Sequence, residues 1–223
     1  MSRLLKLMPW CLLALLFAAG CSEGGKTRLR VMNAVPDEPG LDLLIDGTIS
    51  DSNISYGTST GYQSVSSGSR HIQIEPSGST TTLIDQTITF NSGTDTTILA
   101  TNFSSSLSTV VLSDDNSAPA SGNVKMRFVN AAPDLGPADV YIVAPGTDIN
   151  TVSPNISSLG FGSASEYQNM TAANYEIVFT VAGQKIPQID SGSLSFSAGQ
   201  IRTFVSLNSS AGGFTETILD DVN

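Results

Sequence analysis

The chain has 223 residues, a formal net charge of −10, two cysteines and a single histidine. With 40% hydrophobic and 13% charged residues and a mean hydropathy of +0.09, it can build a packed core, which excludes a disordered chain. The acidic balance excludes nucleic acid and anionic headgroups as natural partners, and two cysteines exclude a disulfide framework.

In chain order the first feature is a targeting segment. Arg3 and Lys6 precede the apolar run "CLLALLFAAG", which is too short for a good stand-alone transmembrane helix and ends in "FAAGC". This stretch resembles the signal of bacterial lipoproteins. The resemblance implies a signal peptide over 1–20, cleavage between Gly20 and Cys21, and lipidation of Cys21. Ala18 stands where that motif prefers Leu, and a plain secretory signal is the alternative. In a Gram-negative host, Ser22 at the second mature position matches the outer-membrane sorting pattern. Residues 21–27 then form a lipidated cysteine and a short tether. Loss of the signal leaves eight basic residues against twenty acidic ones, a net charge near −12, and no thiol for a nucleophile or a metal cluster.

The remainder is an internal repeat. "RVMNAVPDEPGLDLLI" (Arg30 to Ile45) returns 97 positions later as "RFVNAAPDLGPADVYI" (Arg127 to Ile142). Further on the offset is 105, where "ISYGTSTGYQSV" matches "LGFGSASEYQNM", including Gly57/Gly162, Tyr62/Tyr167 and Gln63/Gln168. "ITFNSG" matches "LSFSAG", and "LSDDN" echoes the terminal "LDDVN". The division that follows is a first repeat over 28–113, a Pro/Ser/Gly linker over 114–123 and a second repeat over 124–223. The first repeat carries strand candidates near 28–35, 41–46, 54–58, 61–65, 69–75, 82–90 and 96–112, and almost no helix is expected. This pattern predicts an all-β chain of two tandem antiparallel β-sandwich domains of immunoglobulin-like type, with a small barrel as the alternative.

The pattern R-x-x-N-A-x-P-D…D…I, the "YG…GY" or "FG…EY" block and the closing F-x-x-G together resemble the envelope family known as domain of unknown function 4397. The resemblance runs over both copies, essentially residues 27–223. It implies an extracytoplasmic setting and no established activity. Family members often carry His where this chain has Asn33 and Asn130, so no acid–base or metal role of that His carries over.

Strand parity assigns the recurring residues. Asn33 and Asn130 fall on the core-facing side and read as buried hydrogen-bonding posts for the turns that Pro36 and Pro133 start. Asp37 and Asp134 sit in those turns, placed to accept local backbone N–H bonds. Asp42 and Asp139 fall on the outward parity of the next strand. Calcium is the alternative for these acids, without a D-x-D-x-D-G run to support it. Arg30 and Arg127 also fall on the outward parity. A hairpin closed at Pro36–Gly40 sets Arg30 opposite Asp46 and Arg127 opposite Val143, so a shared cross-strand ion pair does not explain the recurrence; a contact between the copies, or with a loop, is the weaker alternative.

Catalytic readings fare poorly. "GTSTG" (Gly57 to Gly61) fits a nucleophile-elbow string at Ser59, but its setting is strand-rich, the second copy reads "GSASE", and His71 faces outward on a strand. Zinc has no cysteine and one histidine to use. No cofactor is expected. Recurrent Tyr56/Phe161 and Tyr62/Tyr167 read as core fillers, or as stacking anchors for a sugar ring. The eight residues that shift the offset lie in Val143 to Ser158, which nominates Pro145, Asp148, Asn150 and Asn155 as a partner loop. The function expected is a lipid-anchored cell-envelope protein, at the outer membrane and facing the periplasm or the surface, acting as a non-catalytic structural or protein-interaction module. A glycan- or matrix-binding adhesin is the alternative and a hydrolase a more distant one. The partners expected are the membrane, through the N-terminal lipid, and an envelope protein or a glycan.

Overall fold

The computed structural model describes residues 26–221. The signal segment and Cys21 lie outside the described residues. Within them the fold is all-β, with two single-turn 3-10 segments and no α-helix. The first repeat runs β1 (Arg28–Ala34), β2 (Gly40–Ile45), β3 (Thr48–Ser55), β4 (Gln63–Ser64), β5 (Gly68–Pro76), β6 (Ile84–Phe90), β7 (Asp95–Thr101) and β8 (Ser108–Asp114). The second runs β9 (Asn123–Asn130), β10 (Ala138–Val143), β11 (Ile156–Leu159), β12 (Ser163–Ala164), β13 (Gln168–Thr171), β14 (Asn174–Val181), β15 (Pro187–Ser195), β16 (Ile201–Asn208) and β17 (Phe214–Asp220).

Each repeat is a sandwich of two sheets. The inner sheets are ordered β4-β1-β7-β8 and β12-β9-β16-β17, with β13 also on β9; the outer sheets are β3-β2-β5-β6 and β11-β10-β14-β15. Pairing is antiparallel except for β1 with β7 and β9 with β16, which run parallel. Leu29, Val31, Leu41, Leu43, Ile72 and Ile98 fill the first core. The second is more aromatic, with Phe128 stacked 5.1 Å from Phe204 and edge-on 6.1 Å from Phe179. Each such fully buried side chain contributes about 1.5–3 kcal/mol.

A third apolar layer joins the sandwiches. Met32, Ala34, Leu99, Val110 and Leu112 of the first inner sheet cluster with Val129, Ala131, Val205, Leu207 and Leu219 of the second. The inner sheets are therefore buried on both faces, and β7 (DTTILAT) is buried at every residue. The expectation that β1 and β2 close a hairpin is overturned: they lie in different sheets, and Pro36–Pro39 is a crossing between layers. Asp46 accordingly meets Arg70 at 3.2 Å and the His71 amide, and Arg30 lies elsewhere.

Candidate functional site

The corner after β1 is built the same way in both repeats. Asn33 is fully buried; its amide donates to the Glu38 and Ile54 carbonyls at 2.9 and 3.0 Å, and its Oδ1 accepts from the Val35 amide. Asn130 donates to Gly136 and Leu159 at 2.7 and 3.0 Å and accepts from the Ala132 amide and the Ser206 hydroxyl. One side chain thereby satisfies backbone groups of the turn and of the neighbouring strand. The Asn33 and Asn130 carbonyls accept from Gly57 and Gly162, which sit at φ +74° and +72°. That left-handed backbone, which side chains other than glycine rarely adopt, accounts for glycine at both positions.

The recurring acids are clips. Asp37 reaches across to the loop after β7, accepting from the Ser104 amide and hydroxyl at 2.9 and 2.7 Å, so its bonds are long-range where local ones were expected. These bonds outweigh partial burial and hold its pKa below the ordinary carboxylate value. Asp134 accepts from Asn208 at the end of β16, the strand that matches β7. Asp42 and Asp139 accept from Asn53 and Ser158, the left-handed residues of a β-bulge at φ +55° and +52°, and from the turn glycines Gly78 and Gly183. Among the described residues no three of His, Cys, Asp and Glu converge in an arrangement that could hold a metal ion.

Between the inner sheets lies a closed ring of polar side chains, and it corrects the exposed placement of the recurrent arginines. Arg30 and Arg127 are 2% and 3% exposed. Arg30 gives Nε to Thr97 Oγ1 at 3.0 Å, Nη1 to the Asp220 carbonyl at 3.0 Å and Nη2 to Asp221 at 2.6 Å. Arg127 repeats every bond, to Thr203 at 3.3 Å, the Ser113 carbonyl at 3.2 Å and Asp114 at 2.6 Å. The Thr97 hydroxyl donates to Asp114 and the Thr203 hydroxyl to Asp221, closing the circuit. Tyr62 and Tyr167 donate to the same carboxylates and lay their rings 4.5 and 4.7 Å from the Arg30 and Arg127 guanidinium carbons. Each arginine thus pairs with the aspartate of the other repeat.

The electrostatics follow from burial and pairing. Burial works against the Arg127 charge, but Asp114 and the Tyr167 ring outweigh it and raise its pKa. Burial, reinforced by Asp114, raises the Tyr62 phenol strongly, and burial likewise raises Tyr167. Asp114 accepts from Arg127, Thr97 and Tyr62, and Asp221 from Arg30, Thr203 and Tyr167. Such an arrangement holds surfaces together; it presents neither an activated nucleophile nor a carboxyl poised to move a proton. Tyr56 adds a further bond across the seam to the Asn208 carbonyl at 2.6 Å, and burial pushes its pKa up to about 12.

Ser59 lines a groove of about 430 Å³ beside this ring, with Arg30, Tyr62 and β17 on its other walls. It bridges Met32 on the inner sheet, while His71 sits on β5 of the outer sheet and pairs with Asp85 at 2.6 Å. The structure does not assemble a triad from them. The nominated loop folds back over the outer sheet of the second repeat. Ile149 is buried with Tyr141, Val143 and Val178, and Lys185 donates to the Ile149 and Val152 carbonyls while standing 4.6 Å from the Tyr141 ring. Asp148 caps the turn at Asn150 within the loop, Asn155 ties the loop to β10 by accepting from the Ile142 amide, and Pro145 is exposed.

Sequence reasoning reached the asparagine posts by parity and missed the ring. The signal was available, since the outward positions from Arg30 to Ala34 and from Arg127 to Ala131 read Arg30-Met32-Ala34 and Arg127-Val129-Ala131. Two apolar residues in three mark a face that is covered.

Fold and corner motif together define a tandem β-sandwich protein. Residues 27–141 match the family model described as Domain of unknown function (DUF4397), and the chain belongs to that family. No curated protein matches the chain. Among solved structures it is similar to the C-terminal domain of AlgF from P. aeruginosa, at 8% identity over 45% of this chain and 98% of that one, with a TM-score of 0.31. It is also similar to a family 26 carbohydrate-binding module of Amy13K from Eubacterium rectale in complex with maltoheptaose, at 11% identity over 88% and 98%, with a TM-score of 0.29. A third likeness is to family 41 carbohydrate-binding modules of streptococcal virulence factors, at 13% identity over 80% and 93%, with a TM-score of 0.27. Likenesses this distant bear on neither ligand nor activity.

Proposed function

We propose that this is a lipid-anchored protein of the cell envelope, serving as a non-catalytic structural or protein-interaction module. The observation that carries the non-catalytic part is the use made of the recurrent polar residues. Asn33/Asn130, Asp42/Asp139, Arg30/Arg127, Asp114/Asp221 and Tyr62/Tyr167 are all engaged in holding turns, bulges or the seam. Buried polar networks satisfied in this way rigidify a fold. What the chain offers a partner is then the surface of one stiff body of four stacked sheets. Anchoring rests on "FAAGC" and Cys21, and Ser22 favours the outer membrane of a Gram-negative host.

The test has two arms. Labelled palmitate should enter the wild-type chain and not Cys21→Ala, which should leave the membrane fraction; a Cys21→Ala chain that stays with the membrane contradicts the anchor. In the second arm, cross-linking in intact cells should capture an envelope protein. Turnover of a hydrolase substrate lost on Ser59→Ala, or selective retention on a glycan array, would replace the interaction reading.

A further inference from the structure

The topology fixes which end of the body the tether leaves from. β1 and β9 both begin at one end, because β1 runs parallel to β7 and β9 parallel to β16, and the cross-repeat bonds join like ends. Arg30, near the start of β1, meets Asp220 and Asp221 at the finish of β17, and Arg127, near the start of β9, meets Ser113 and Asp114 at the finish of β8. At this end lie Thr27, whose hydroxyl donates to Asn91, the turns before β7 and β16, and the linker between repeats. At the other end lie the Pro-Asp corners of both repeats and the loops after β7 and β16. Asp37–Ser104, Asp134–Asn208 and Tyr56–Asn208 tie these together. A seven-residue strand separates the two ends by about 23 Å.

Resting on the lipid-anchor reading above, we infer that the body stands on the membrane by its linker end and presents the Pro-Asp corners away from the lipid. Six residue steps separate Cys21 from Thr27, a reach of at most roughly 20 Å. That holds the linker end against the lipid surface. The loop at 144–155 leaves β10 at its membrane end and lies along the flank. A partner approaching from outside therefore meets the corners before it meets that loop.

With Cys21 lipidated and Cys11 removed with the signal, an introduced cysteine is the single thiol of the mature chain. Ser92→Cys and Ala198→Cys mark the linker end of each repeat, and Ser105→Cys and Ala211→Cys the corner end; all four sites are exposed. Each lipidated variant is labelled with a fluorophore and reconstituted in phosphatidylethanolamine/phosphatidylglycerol vesicles containing headgroup-nitroxide lipid. Quenching at positions 92 and 198 should exceed that at 105 and 211 by several-fold. Equal quenching at both ends, or stronger quenching at the corners, overturns the orientation while leaving the anchor intact. A chain that fails to float with the vesicles overturns both.

Discussion

The two outer sheets share one strand order and face water differently. Outward positions on β2, the turn after it and β5 carry Leu44, Asp46, Gln73 and Glu75; the corresponding positions on β10 and β14 carry Tyr141, Val143, Val178 and Thr180. The second set is apolar enough to need cover, and the eight inserted residues supply it through Ile149, with Val152 packed alongside. A loop that looks like a recognition element in sequence thus packs through Ile149 and Val152, while most of its other residues stay exposed. The inner sheets teach the converse. There the two repeats kept the same residues because each needs the other's charge.

The largest effect separating seam from surface belongs to the arginines. Arg127→Ala leaves the Asp114 carboxylate buried beside Thr97 and Tyr62 without its cation, and should cost about 3–5 kcal/mol in denaturant unfolding. Arg70→Ala, which removes the half-exposed pair with Asp46, should stay within about 1 kcal/mol. Equal losses would erase the distinction. Next come the posts: Asn33→Ala and Asn130→Ala should each cost roughly 1–3 kcal/mol, because both strand backbone groups in a dry corner.

The flank comes third. Ile149→Ala should cost about 2 kcal/mol, the lower end for a buried Ile because the site lies at the rim of its cluster. It should also raise binding of a hydrophobic dye; unchanged stability and dye binding would mean that the loop is not packing. The smallest effect is one of pH. Thr109 donates to Gln86 between β8 and β6, whereas the matching position in the second repeat is Glu216, near Asp190. Burial, then the Asp190 charge, raises the Glu216 pKa, so folding favours its protonated form. That contribution is present below the ordinary carboxylate pKa and is lost as pH rises through the raised value. Glu216→Gln should therefore gain stability over wild type as pH increases from about 4 to 7, read as Tm against pH.

Much of this was legible in the residues. Alternation in "RLRVMNAV" put Leu29, Val31, Asn33 and Val35 on one face, and they are buried there. The turn chemistry of Pro36-Asp37 and Pro133-Asp134 marked the corners. What escaped is non-local. A chain crossing between layers and a hairpin read alike over "VPDEPG", and parity says which residues share a face without saying what covers it. Arg30 was assigned to water for that reason. The partner that buries it, Asp221, lies 191 positions away.

The central claim is that the reciprocal pairs make the two repeats one body. Differential scanning calorimetry of the mature chain tests it most directly. Wild type should unfold in a single transition with equal calorimetric and van't Hoff enthalpies, and Arg30→Ala combined with Arg127→Ala should split it into two. Two transitions in the wild-type chain, or one transition unmoved in the double variant, would contradict it.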